Sequence, residues 1–337
     1  MNAIVINGSP RVKSNTMRLT RAFLDGAGFD AEIIDAAKLD IKPCLGCFGC
    51  WKNTPGKCVI NDDMSGILNQ IIGADVIIWS FPPYYFSVPS GLKALIDRQL
   101  PLNLPFMSEE SVFGAHAQRY DLPRKRVAAI STCGFWTAAG NYDGVAAMFD
   151  RMYGKDNWSK IFCGQGELFR VPELSARTDL YLKAVRRTGA EFAKGGITQK
   201  TQAGLAEPLY ERKVFEQMAD ASWGAAKDGG PPDGAFDFTT QMAAPYRPDG
   251  KERVIEFVYT DIYKRYQIVC RAADHDVIRA DFLPCTTRIE TPFTVRQAIA
   301  RGEISGFKTL LQKKYRVTGD FSVMKRWNKL FGAPPRR

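Results

Sequence analysis

Histidine is nearly absent from this 337-residue chain, with only His116 and His275 present. The two are far apart in sequence and have no evident partner, so a catalytic histidine pair is not expected. Long apolar runs are missing too. The longest, Ala74 to Phe81, is interrupted by Asp75 and Ser80, well short of the ~20 residues that cross a bilayer. No transmembrane helix is expected. The first residues hold no basic stretch followed by a long apolar core, so no secretory signal is expected and a cytoplasmic location is. Internal repeats and low-complexity tracts are also lacking. Net charge is +10, yet no dense basic stripe accompanies a nucleic-acid motif, so nucleic-acid binding is not expected. Only the last 37 residues are lopsided, with ten basic against two acidic. An anionic cofactor or an anionic membrane surface suits that balance.

What is present is ordinary globular composition, 45% apolar and 24% charged, which excludes a disordered or collagen-like chain. At ~150 residues per domain the length suggests two domains. The first 200 residues alternate apolar runs with helical patterns, the mark of a parallel α/β sheet. Strands are expected at Ala3–Ile6, Ala31–Asp35, Asp75–Ser80, Arg126–Thr132 and Trp158–Gly164. Between them Met64, Ile67, Leu68, Ile71 and Ile72 mark one helix face, as do Tyr142, Val145, Ala146, Phe149 and Met152. Tyr181, Ala184, Val185 and Phe192 mark a later one. The run from Gln99 to Pro123 is too long for a plain connection and reads as a flap or an oligomer contact.

In an open α/β sheet, ligands bind where loops leave the carboxyl ends of the strands. Three such loops carry chemistry. The first, Gly8-Ser9-Pro10-Arg11 with Ser14-Asn15-Thr16 opening a helix, offers outward amides, hydroxyls and a positive dipole end to a phosphate. No GxGxxG follows the first strand, so a dinucleotide fingerprint is not expected there. The second, Phe81-Pro82-Pro83-Tyr84-Tyr85-Phe86-Ser87, offers a rigid aromatic wall. The third, Ser131-Thr132-Cys133-Gly134-Phe135, offers backbone amides.

These loops, in order, resemble the NAD(P)H-dependent FMN reductase branch of the flavodoxin-like superfamily. The matching text is Asn7-Gly8-Ser9-Pro10-Arg11 with Ser14-Asn15-Thr16, then Pro82-x-Tyr84-x-x-Ser87, then Leu92-Lys93 and Ile96-Asp97-Arg98, within about the first 195 residues. The resemblance implies a doubly wound five-stranded parallel sheet that binds FMN. Ser9, Arg11, Ser14, Asn15 and Thr16 would hold its phosphate. Pro82, Pro83, Tyr84, Tyr85, Phe86 and Ser87 would flank the isoalloxazine with Thr132, Cys133, Gly134 and Phe135. NAD(P)H is the implied donor, flavin N5 carries the hydride, and a homo-oligomer is the implied assembly. No protein side chain is singled out as catalytic. The doubled Pro82-Pro83 departs from the pattern.

Cys44, Cys47 and Cys50 are spaced C-x2-C-x2-C, and Cys58 follows beyond the Pro55-Gly56 turn. Such crowding in a long chain points to metal or redox chemistry. A cubane cluster or zinc could use these four sulfurs. The segment looks like that of the iron–sulfur flavoproteins, which implies a [4Fe–4S] cluster. Plain reductases carry a similar loop as free or redox-sensitive thiols, so both readings stand. The adjoining Asp62-Asp63 reads as a helix cap and first-turn acid. Cys133, Cys163, Cys270 and Cys285 read as structural.

The first domain is expected to span 1–197, with a helical linker over 198–231. Leu205 to Lys227 reads as one helical stretch, ended by Gly229-Gly230-Pro231-Pro232. Beyond it, residues 232–337 read as a smaller α+β domain, with Val254–Tyr259 and Tyr266–Cys270 as antiparallel neighbours. Val323, Met324, Trp327, Leu330 and Phe331 read as one closing helix face. The stretch from Ile289 to Gly306, with Gly319-Asp320-Phe321-Ser322, resembles the sterol carrier protein type 2 domain. That resemblance implies an apolar tunnel, near which Phe282, Phe293, Phe307, Leu310, Leu311, Phe321, Met324 and Trp327 are expected.

The expected function is an FMN-dependent NAD(P)H oxidoreductase acting on a small apolar acceptor, a quinone or a steroid-like molecule. Two alternatives are an iron–sulfur flavoprotein relaying single electrons from a ferredoxin-type donor, and a lipid-binding protein whose flavodoxin half is non-catalytic.

Overall fold

The computed structural model describes residues 1–109, 114–122, 124–222 and 233–332. They form two compact units: residues 1–170 with 179–209, and residues 171–178 with 210–337. The expected breaker at Gly229-Gly230-Pro231-Pro232 lies outside the described residues, as do four residues of the expected flap and Pro123.

The first unit begins with β1 (Ala3–Asn7), α1 (Asn15–Ala27), β2 (Ala31–Asp35), the short α2 (Gly49–Lys52), α3 (Met64–Gly73), β3 (Val76–Ser80) and α4 (Ser90–Asp97). It continues with β4 (Asn103–Met107), β5 (His116–Gln118), β6 (Arg126–Thr132), α5 (Asp143–Tyr153), β7 (Trp158–Cys163), α6 (Ser175–Ala193) and α7 (Gln199–Ala206). The main sheet runs β2-β1-β3-β6-β7, all parallel. That is the doubly wound, flavodoxin-like order, with its switch point beside β1. β1 and β3 are buried at every residue, as strands covered on both faces must be, which explains their unbroken apolar text. The register brings Asn7 beside Asp35 and Ser80, and Thr132 beside Cys163. Asn7, Ser80 and Thr132 thus mark one carboxyl edge, where all three loops emerge.

Trp79, Phe81, Phe149 and Trp158 fill the core under that edge, each worth about 1.5–3 kcal/mol of burial. The Trp79 indole N–H donates to the Tyr153 hydroxyl at 2.8 Å. α1 is capped by Ser14, whose hydroxyl accepts from the Met17 amide, and it ends at left-handed Gly28. α1 and α6 touch backbone to backbone. A Cβ at Gly189 would sit 2.0 Å from the Phe23 carbonyl oxygen, and one at Gly26 only 1.8 Å from that of Arg186.

Part of the expected flap is a separate hairpin, β4 with β5 antiparallel. The single helix expected from Leu205 is broken: α7 ends at Ala206, and α8 (Arg212–Ser222) starts anew. Pro208 lies in the gap and has no amide hydrogen to continue a helical ladder.

The second unit contains α8, α9 (Gly234–Ala243), β8 (Arg253–Tyr259), β9 (Lys264–Cys270), β10 (His275–Ile278), β11 (Thr287–Thr291) and α10 (Phe293–Ala300). α11 (Gly306–Leu311), β12 (Arg316–Gly319), α12 (Ser322–Lys325) and α13 (Trp327–Phe331) complete it. Its sheet runs β10-β9-β8-β11-β12. β8 and β9 pair antiparallel, as read from the sequence, whereas β8 and β11 are parallel, so the sheet is mixed. The closing helix is two pieces, because Arg326 leaves helical geometry at φ −104°, ψ 6°. Tyr259, Tyr266, Ile255, Phe257 and Ile268 form the centre of a core separate from that of the first unit.

Candidate functional site

At the carboxyl edge of the parallel sheet the first loop is pinned from several directions. The Ser9 amide donates to the Asn7 side chain at 3.1 Å, and the Arg11 amide to the Ser9 hydroxyl at 3.3 Å. Asn15 donates its side-chain amide to the Gly166 carbonyl at 2.8 Å, and the Thr16 and Thr132 hydroxyls meet at 2.8 Å. Arg18 reaches the Phe169 carbonyl. Ser9, Ser14, Asn15 and Thr16 are buried, although the loop they belong to is polar. Side-chain bonds of this kind fix the loop, while the amides opening α1 have no partner inside the helix and present a positive end.

One cavity of about 90 Å³ lies against this helix end. It is lined by Ser9, Arg11, Ser14, Asn15 and Thr16 from the first loop, by Pro82, Pro83 and Tyr84 from the second, and by Thr132, Cys133 and Gly134 from the third. The three loops picked out in the sequence therefore meet in one place. Tyr85, Phe86, Ser87 and Phe135 do not line it. The second loop instead turns back: the Tyr84 and Ser87 backbones bond to each other at 2.8 and 3.1 Å. Its two central residues, Tyr85 and Phe86, have φ of 50° and 64°, a conformation more usual for Asn-Gly. Tyr85 is 97% exposed, and Phe86 stacks on Phe135 at 5.6 Å with rings 6° apart.

Two further residues line the cavity, Gly166 and Glu167. Both follow β7, the fifth carboxyl end, and the glycines in Gly164-Gln165-Gly166 were the available signal. Gly166 fits because a Cβ there would lie 2.7 Å from that of Thr132. Glu167 pairs with Arg11 at 3.0 Å. Burial pushes the Cys133 thiol pKa up, with hydrogen bonding at Phe135 and Tyr142 offsetting part of the rise, so it lines the cavity as a neutral thiol.

The cysteine loop lies between β2 and α3. Cys44 and Cys47 are exposed, Cys50 is buried and Cys58 is half-buried. Burial raises the Cys50 thiol pKa first, and proximity to Cys58, Cys44 and Cys47 raises it further. Among the described residues, no three histidine, cysteine or acidic side chains converge into a metal-binding group.

Asp62 and Asp63 meet the expected cap and first-turn roles only in part: Asp63 holds the cap position, and no acid lies in the first turn. Asp63 occupies the position before α3 but makes no side-chain cap bond; its carboxylate accepts from the Asp40 amide at 2.8 Å. Asp62 accepts from the Met64 amide at 3.1 Å, but its main partner is Arg98. A distant arginine can claim a carboxylate in a way local spacing does not reveal.

In the second unit a cavity of about 460 Å³ lies between sheet and helices, within the size range of small-molecule sites. Phe307, Leu310, Phe321, Met324 and Trp327 line it, as do Phe257 and Ile289. Phe282, Phe293 and Leu311, also expected near a tunnel, do not. Phe282 lies beneath the Arg265 guanidinium, Phe293 packs on Tyr259 and Phe238, and Leu311 is exposed. Sequence reading missed Arg296, which lines the same cavity at 8% exposure. It sits 5.0 Å from the Trp327 ring centre and 5.8 Å from that of Phe257. Burying an unpaired charge costs several kcal/mol, and cation–π contact returns about 0.5–2 kcal/mol, so the guanidinium is undercompensated.

Fold and site together define a flavodoxin-like α/β unit with a small cavity against a helix N-terminus at its switch point. Residues 1–141 match the NADPH-dependent FMN reductase family. An iron–sulfur flavoprotein of Methanocaldococcus jannaschii is 40% identical over 120 residues, covering 35% of this chain and 61% of that protein. One from Archaeoglobus fulgidus is 35% identical over 104 residues, 30% of this chain and 46% of that protein. An FMN-dependent NADH:quinone oxidoreductase of Bradyrhizobium diazoefficiens is 33% identical over 100 residues, 27% and 47% respectively. The chain thus spans between 46% and 61% of these relatives' length. The structure of a Bacillus anthracis FMN-dependent NADH-azoreductase in complex with FMN overlays at TM-score 0.41 and 16% identity, covering 57% of this chain and 100% of that one. The fold assignment rests on the strand order.

Proposed function

We propose that the first unit is an FMN-dependent NAD(P)H oxidoreductase reducing a small apolar acceptor, of the quinone or steroid-like class. The observation that supports this best is the single cavity that gathers all three loops at the end of a helix. The residues fit the group. The helix-opening amides of Asn15 and Thr16, with the Ser9 and Ser14 hydroxyls, suit a phosphate. Arg11 adds a cation at the rim. The cavity is sized for that phosphate end. The exposed pair Phe86 and Phe135 offers an aromatic surface beside it for the isoalloxazine, and Gly134 offers backbone at the third loop. Bound FMN would supply hydride exchange between a nicotinamide and the acceptor. This chain's part is to hold and orient it.

In this reading the second unit takes up an apolar ligand, as its resemblance to sterol carrier domains implies and its 460 Å³ cavity supports. The four-cysteine spacing and the names of several relatives favour a second reading, electron relay through a [4Fe–4S] cluster.

The test is an absorption spectrum of anaerobically purified protein, with iron assayed on the same sample and NAD(P)H oxidation followed with a soluble quinone. A two-banded flavin spectrum, quinone-dependent turnover and no iron are expected. About four irons per chain without NAD(P)H turnover would select relay instead.

A further inference from the structure

The last helices of the second unit leave large apolar side chains in water. In α11, Phe307 is 69% exposed, and Leu311, one turn further on, is 68% exposed. Residues four apart share one helix face, so the two stand side by side. Phe321, just before α12, is 39% exposed. Phe307 and Phe321 also line the cavity of about 460 Å³, and Lys325 lines it with them. A residue that lines a cavity and still meets solvent stands at its opening. Phe307, Phe321 and Lys325 therefore share one stretch of surface, which Leu311 extends along α11.

The free charge on this part of the chain has one sign. Lys308, Lys313, Lys314 and Lys325 are exposed, and among the described residues none of them forms an ion pair. The two acids of the last 37 residues are already engaged. Glu303 pairs with Arg301 at 3.5 Å, and Asp320 accepts from the Ser322 amide at 2.8 Å. Exposed apolar patches mark protein or membrane contacts, and the lysines decide between the two. We propose that this face docks on an anionic phospholipid bilayer. Phe307, Leu311 and Phe321 enter the headgroup layer, as the apolar face of an interfacial helix does, and the four lysines meet the lipid charges. A second copy of this chain would bring the same positive charge to the contact, which like-charge repulsion disfavours. The docking face is independent of what the cavity holds and of the redox chemistry of the first unit.

The test is sedimentation of the full chain with phosphatidylcholine vesicles, with and without about 30% phosphatidylserine, at about 0.1 M salt. Binding about tenfold tighter or more to the anionic vesicles is expected. Phe307→Ser with Leu311→Ser should weaken it about fivefold, and Lys308→Glu with Lys325→Glu about tenfold or more. All four side chains are exposed, and a thermal melt checks that each variant keeps its fold. Lys155→Glu with Lys183→Glu makes the same charge change on the first unit and should leave binding within about twofold. Equal losses from the two charge pairs would assign binding to net charge and overturn the docking face. Equal binding to both kinds of vesicle, or to neither, would overturn it as well. Sedimentation velocity without lipid tests the other occupant: self-association that Phe307→Ser with Leu311→Ser abolishes would give the face to a second copy and overturn the proposal.

Discussion

Arg98 and Asp62, 36 positions apart, are joined by two parallel bonds. One guanidinium nitrogen donates to Oδ2 at 2.9 Å and the other to Oδ1 at 2.9 Å. Both side chains are almost wholly out of solvent, at 1% and 0% exposure. Arg98 also donates to the Lys42 carbonyl at 2.7 Å, and the Lys42 amide donates back to Asp62 at 3.0 Å. The Cys58 thiol interacts with the same guanidinium. The pair thereby ties both ends of the cysteine loop to α4.

Asp62→Asn should destabilise the first unit by about 3–5 kcal/mol, since it leaves a buried guanidinium without its charge partner. Urea unfolding followed by tryptophan fluorescence reads this directly. A loss under about 1 kcal/mol would show that the loop relaxes around the change.

The same carboxylate sets an acid limit. Burial alone would raise its pKa, but hydrogen bonds from Arg98 and from the Lys42 and Met64 amides outweigh it and hold Asp62 below the usual carboxylate range. Its contribution is complete above the unfolded value, ~3.9, and is lost as pH falls through the lower folded value. Stability measured from pH 5 down to pH 3 should fall, and more shallowly in Asp62→Asn.

Arg11→Ala should separate binding from stability. Its salt bridge to Glu167 is half-exposed, so its loss should cost under about 1 kcal/mol. FMN affinity should drop about tenfold, equivalent to ~1.4 kcal/mol. Fluorescence titration with FMN beside a thermal melt checks both, and unchanged affinity would place the phosphate elsewhere.

Thiol reactivity should follow burial. Among the four loop cysteines, brief iodoacetamide treatment should label Cys44 and Cys47 first and Cys50 last, because Cys50 is buried with a raised pKa and thiolate is the reacting form. Peptide mass spectrometry gives the order. Early labelling of Cys50 would mean that the loop opens readily.

The strands of the first unit were legible because their text is locally decisive. Ala31–Asp35 and Arg126–Thr132 keep their expected ends, while Ala3–Ile6 and Trp158–Gly164 shift by one residue. The three loops were legible because position at a carboxyl edge is a rule of topology. Glu167 belongs to the same rule, and its signal is only the pair of glycines just before it, Gly164 and Gly166. Asp62 with Arg98, and Arg296 with its cavity, were not legible, since each depends on groups that only tertiary packing brings together. Tyr85 and Phe86 hid their turn because aromatic residues seldom take positive φ.

The contact of Gly189 with the Phe23 carbonyl leaves no room for a methyl group, so Gly189→Ala should cost at least 1–3 kcal/mol through overpacking. A thermal melt reads the loss, and an unchanged midpoint would mean the helices slide apart freely.

That contact also orders events during synthesis. The loop at residues 8–16 is made before its fastenings, which come much later in the chain: Gly166 to Asn15, Phe169 to Arg18, Gly189 to the back of α1. A nascent chain cut at residue 141 carries the family's recognisable text but lacks the whole of β7 and the seat for its first helix. The cavity wall that residues 8–16 contribute is therefore finished from behind, its last fastening, at Gly189, lying about fifty residues after the recognisable text has ended.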